Sequence, residues 1–143
     1  MSGLQAKVRK RGLTAHDMNP LGETVERLGQ KSATYRRSMV KISIFYPSKA
    51  DSHFDVDYFL NTHMPLALGL LGSAIKGVSV EIGMLGGTPD QQPPFTAICG
   101  FTCETVQAFT DAFLPNADVL QSDIPKFTDI APVIQVSEIR LEQ

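Results

Sequence analysis

The chain has 143 residues, 43% of them hydrophobic and 20% charged, which suits one globular domain and excludes a disordered or low-complexity chain. No run approaches the roughly 18 apolar residues of a membrane span; the richest stretch, 64–71, is broken by Pro65 and Gly69. The net charge of −2 is uneven: residues 1–38 carry eight basic and three acidic residues and residues 39–143 five basic and twelve acidic, so the body has the wrong sign for a nucleic-acid-binding surface.

Residues 1–38 read as a basic extension. Lys7-Val8-Arg9-Lys10-Arg11 is a basic run, Asn19-Pro20-Leu21-Gly22 is turn chemistry, and Val25 and Leu28 are the only apolar anchors of a short helical stretch. A flexible segment, a docking arm and a targeting peptide all fit this composition. The first 30 residues lack the continuous apolar run of a secretory signal.

From Met39 the patterning sharpens. Val40, Ile42, Ile44 and Tyr46 alternate with Lys41, Ser43 and Phe45, which predicts a strand. Residues 47–51 form a loop. Asp55 is placed to cap a helix starting at Val56, and Ser52 with Asp55 offers a start three residues earlier. Phe59, Leu60, His63, Ala67 and Leu70 then recur at helical spacings. Pro65 lacks an N–H and should kink or divide that helix near 61–64, and Gly72 should stop it.

A second strand is predicted over 77–84, with Val78, Val80, Ile82 and Met84 on one face. The Gly86-Gly87 pair lacks the strand–helix setting of a phosphate loop and reads as a turn. A third strand follows over 95–101 and a second helix over 104–114, striped by Val106, Phe109, Ala112 and Phe113 and ended by Pro115. A short turn over 117–120, an irregular segment through Phe127 and a fourth strand over 132–141 complete the chain. Cys99 and Cys103, if on one strand, lie about 13 Å apart at ~3.3 Å per residue, beyond the roughly 7 Å reach of a disulfide. They read as reduced thiols in a cytoplasmic protein.

The order β-α-β-β-α-β is the ferredoxin-like, α+β arrangement: a four-stranded antiparallel sheet with both helices on one face. Apolar residues on both strand faces, as in Ile44 against Phe45 and Ala97 against Ile98, predict a homodimer in which a second copy covers the open sheet face.

His63 is the candidate for chemistry. Its setting is aromatic and aliphatic, two residues before a proline, where an imidazole suits acid/base work near neutral pH. It equally suits a structural role, bonding a carbonyl freed by Pro65. Asp55, Tyr58, Phe59, Phe127 and Asp129 are its candidate substrate-binding neighbours, with the N-cap as the plainer role for Asp55 and packing for Phe127. No metal ligand set accompanies His63, so no metal and no cofactor are expected. His16 and His53 read as solvent residues, and Met39, Met64 and Met84 as core filling.

Phe54-Asp55, Tyr58-Phe59 and His63-Met64-Pro65-Leu66, in that order, resemble the signature of the EthD family, named for ethyl tert-butyl ether degradation. Val40 to Pro47 and Phe127-Thr128-Asp129 before the last strand are also similar, and the resemblance spans about 39–141. It implies a dimeric α+β barrel and a pocket-facing His63 with Asp55 and Tyr58 nearby. The wider superfamily holds cofactor-free monooxygenases, muconolactone isomerase-like enzymes and haem-dependent chlorite dismutases. The expectation is a protein of degradative or oxidative metabolism that binds a small apolar organic molecule, as an oxidoreductase, isomerase or decarboxylase-like enzyme, or as a non-catalytic accessory, carrier or structural dimer module.

Overall fold

The computed structural model describes residues 38–143; the extension expected over 1–38, and His16 with it, lies outside the described residues apart from Ser38. Four strands form one antiparallel sheet in the order β2-β3-β1-β4. They are β1 (Val40–Pro47), β2 (Gly77–Ile82), β3 (Phe95–Cys103) and β4 (Val133–Glu138). The order is that of the ferredoxin-like α+β fold. Ile42 lies opposite Phe101 and Val136, and Ile44 opposite Cys99 and Ile134, so the apolar rows meet on one face. That row, with Tyr46, Ala97 and Cys103, forms the sheet side of the core.

The first helical stretch has three parts. Helix α1 (Val56–Tyr58) runs into a π-helical turn (Phe59–His63) and then into α2 (Met64–Leu71). Pro65 cannot donate to the carbonyl four residues back, and its ring would crowd that turn. The chain accommodates it by widening the turn before it: the Met64 N–H bonds Phe59 O, five residues back. The interruption falls where Pro65 predicts it, but as a widened turn instead of a break. The widening also changes the phase. Phe59, His63, Met64, Ala67 and Leu71 face inward, while Leu60 is 42% exposed and Leu70 is only half-buried. A constant 3.6-residue period misassigns those two leucines. Gly72 ends α2 at φ +61°, in the left-handed region that favours glycine.

Helix α3 (Val106–Phe113) is capped by Thr105, whose hydroxyl accepts from the Ala108 N–H at 3.0 Å. Pro115 does not end the helical course. It sits at the start of a 3₁₀ turn (Leu114–Asn116), where its missing N–H costs nothing, and α4 (Ala117–Asp123) follows. A further 3₁₀ turn, Ile124–Lys126, leads to Phe127, so the segment expected to be irregular is mostly helical. Strand β3 extends to Cys103, beyond the expected Phe101, whereas β2 stops at Ile82 and β4 at Glu138. Met84, expected in the core, is 89% exposed beyond β2. Met64 is buried, and Met39 is half-buried. Cys99 and Cys103 are both buried free thiols, with burial pushing them up to about 12 and about 11.

Candidate functional site

Three local features bring the site together. The π turn points His63 inward, and the ring stacks on Phe59 at 5.7 Å between centroids. The segment before β4 is pinned to the start of the first helical stretch: the Asp55 N–H donates to Phe127 O at 2.7 Å, and the Thr128 hydroxyl to His53 O at 2.7 Å. This pinning seats Phe127, wholly buried, against His63 at 4.6 Å. Finally, α4 delivers Asp123 beneath the imidazole.

Asp123 is the centre of the polar network. Its Oδ2 lies 2.9 Å from His63 Nδ1, its Oδ1 accepts from the Tyr58 hydroxyl at 2.7 Å, and Lys126 Nζ stands 3.6 Å from Oδ1. Both His63 and Asp123 are more than nine-tenths buried. Burial alone would raise the Asp123 carboxyl. The hydrogen bonds from Tyr58 and His63 and the charges of His63 and Lys126 outweigh it and hold that carboxyl below its ordinary range. The same hydrogen bond raises the Tyr58 phenol, with burial and the carboxylate charge adding to it.

An ionised carboxylate only accepts, so His63 Nδ1 carries the hydrogen. In the neutral ring the lone pair is then on Nε2. Among the described residues Nε2 has no hydrogen-bond partner. His63 lines a narrow, partly open cavity of about 50 Å³ between the helices and the sheet, walled by apolar side chains including Met64, Phe109, Leu120 and Ile134. The histidine does not bond a carbonyl freed by Pro65; its buried partner is a carboxylate. A base oriented by an acid, on a side chain that lines an apolar cavity, suits proton transfer to or from a bound organic molecule.

His63 and Phe59 line the cavity, Tyr58 reaches the network through Asp123, and Phe127 packs the imidazole from behind. Asp55 and Asp129 do not come to the cavity. Asp55 is the exposed N-cap of α1, accepting from the Tyr58 N–H at 3.0 Å. Asp129 accepts from the His53 N–H at 3.0 Å on the surface. Asp123 and Lys126 are not among the residues singled out from sequence. A signal for Asp123 exists: Leu120, Asp123, Ile124 and Phe127 fall at i, i+3, i+4 and i+7, which places an acid on an inward stripe. It also closes a helix, where the macrodipole disfavours an anion. Among the described residues no group of three His, Cys, Asp or Glu side chains is placed to hold a metal.

Comparison with solved structures places the fold among known proteins. The chain is 35% identical to an EthD-like protein from Ralstonia eutropha JMP134, with a TM-score of 0.72, covering 76% of this chain and 97% of that one. It shares the fold of an ethyl tert-butyl ether (EthD) family protein from Bacillus halodurans C-125, at 19% identity and a TM-score of 0.55, covering 71% of this chain and 98% of that one. No family model and no curated protein matches the chain.

Proposed function

The chain belongs to the EthD-like family, and from that premise we propose that it binds a small, mostly apolar organic molecule at the His63 cavity and moves a proton on it. The observation that carries the reading is the His63–Asp123 pair. Asp123 fixes the ring and its tautomer, and leaves Nε2 unpartnered on a side chain that lines the cavity. When His63 takes a proton, the buried carboxylate 2.9 Å away stabilises the imidazolium, as orienting acids do in other base–acid pairs. Phe59 stacks on the imidazole and Phe127 packs against it at a tilt, so both rings hold it in place.

The cavity is well below the roughly 150 Å³ that admits benzene, so it seats the polar end of a ligand, with other atoms in the mouth. The reading includes a homodimer. Phe45 lies opposite Ile98 and Val133 on the helix-free face, Phe45 and Phe95 touch at 5.2 Å, and all four side chains stand outside the core cluster. A second copy covering that row would close the sheet into a barrel. Two buried free thiols suit a reducing compartment such as the cytoplasm, and among the described residues no helix is long and apolar enough to cross a membrane.

Native mass spectrometry of the freshly purified full chain tests both parts. A dimer mass with a retained organic adduct that His63→Gln releases is the expected result. Wild type and His63→Gln carrying the same adduct, or none, would count against the site. Retention without turnover of the identified molecule would make the protein a carrier.

A further inference from the structure

The cavity has a second polar group that the proton-transfer reading leaves unused. Strand β1 delivers Tyr46 to the helix-facing side, opposite Ala97. The residue is 2% exposed and lines the same cavity as His63. Its ring packs edge-on against Phe59 at 5.9 Å and Phe127 at 6.1 Å, the same two rings that hold His63 at 5.7 and 4.6 Å. One aromatic pair therefore seats both polar side chains.

A buried tyrosine hydroxyl ordinarily finds a partner. Among the described residues, that of Tyr46 has none. Its oxygen is not wholly sealed from solvent. Burial, with the Cys99 thiol adding to it, pushes the phenol up, which keeps it protonated and therefore a donor. Two side chains that line the cavity thus carry unpartnered polar groups of opposite kind, an acceptor and base on His63 and a donor on Tyr46.

Resting on the acid/base reading of His63, we infer that Tyr46 is a second catalytic residue and that the ligand class is a small enolisable carbonyl compound. The Tyr46 O–H donates to the carbonyl oxygen while His63 Nε2 removes a proton from the adjacent carbon. The C–H bond breaks and an N–H bond forms. The electron pair moves through the carbon to the carbonyl oxygen, giving an enolate held by Tyr46 and an imidazolium held by Asp123. Return of the proton to carbon restores both partners, with no oxidant or reductant required. A donor aimed at the developing oxyanion is the kind of group whose loss is costly in a water-poor site.

The test uses the full chain and 2,4-pentanedione, whose enolate absorbs apart from its neutral form. Titration of wild type should give a saturable enolate band. Tyr46→Phe should raise the half-saturation concentration by about tenfold or more, and His63→Gln should abolish the band. The phenylalanine variant removes a hydroxyl that has no partner, so its unfolding temperature should equal or exceed that of wild type. A band in Tyr46→Phe that saturates as in wild type, while His63→Gln abolishes it, would overturn the role of Tyr46 and leave the His63 site standing. Absence of a saturable band in wild type would overturn the ligand class, with the His63 site then judged by its retained adduct. A band unchanged in His63→Gln would overturn both.

Discussion

At the scale of single residues the protein depends on Asp123. A carboxylate in a nearly dry place is costly unless its oxygens are satisfied, and here Tyr58, His63 and Lys126 satisfy them. Its carboxyl is held below the ordinary value, so the folded state binds a proton there less readily than the unfolded chain. Asp123 therefore contributes stability at pH above its unfolded value, and that contribution is lost as pH falls through its folded value. Denaturant titrations of wild type and Asp123→Asn between neutral and acidic pH should show this. The wild type should lose more stability on acidification than the variant; parallel curves would remove Asp123 from the account. Asp123→Ala, which strands both the His63 Nδ1–H and the Tyr58 hydroxyl, should cost about 2–3 kcal/mol at neutral pH. His63 was legible in the sequence because a lone imidazole among Phe59, Leu60 and Leu66 is chemically conspicuous. Asp123 was obscured because Pro115 and Pro125 make its surroundings read as loop, and only the helical frame reveals the inward stripe.

At the scale of elements, the turn Phe59–His63 matters most. The strands were readable because alternation has a period of two residues and few ways to slip, and their ends erred by only a few positions. The helices were readable in existence but not in phase. One extra residue in the π turn rotates everything after it, exchanging Leu60 and Leu70 for Met64 and Leu71 on the buried side. Nothing in the local spacing fixes that choice; it follows from Pro65 together with packing against the sheet. The same reasoning separates Asp55 from the chemistry. Its carboxylate accepts from the Tyr58 N–H, three residues on, and stands exposed. Asp55→Ala should therefore lower stability by about 1 kcal/mol and leave ligand retention unchanged, while Asp55→Asn should restore most of the loss. Thermal unfolding and native mass spectrometry together decide it: a lost adduct in a folded Asp55→Ala protein would place Asp55 in the site after all.

At the scale of the whole molecule, the sheet divides two tasks. Its helix-facing side carries Ile42, Ile44, Tyr46, Cys99 and Phe101, building the core and one wall of the cavity. Its other side carries the cross-strand row of Phe45, Ile98 and Val133, away from that chemistry. This architecture was legible from element order alone, because β-α-β-β-α-β admits few sheets. The chemistry was less legible, because it joins residues 58, 63 and 123, which only the folded chain brings within hydrogen-bond reach. The fold brings these parts to bear on one atom, His63 Nε2, and the tautomer of that ring is the most direct measurement. Long-range ¹H–¹⁵N correlation spectra of the full chain, assigned by comparison with His63→Gln, report which nitrogen carries the proton in the neutral ring. A proton on Nδ1, held by Asp123, and a bare Nε2 are expected, with the preference weakened in Asp123→Asn. A neutral His63 protonated on Nε2 would contradict it, since the ring would then face the cavity as a donor and no base would be left there.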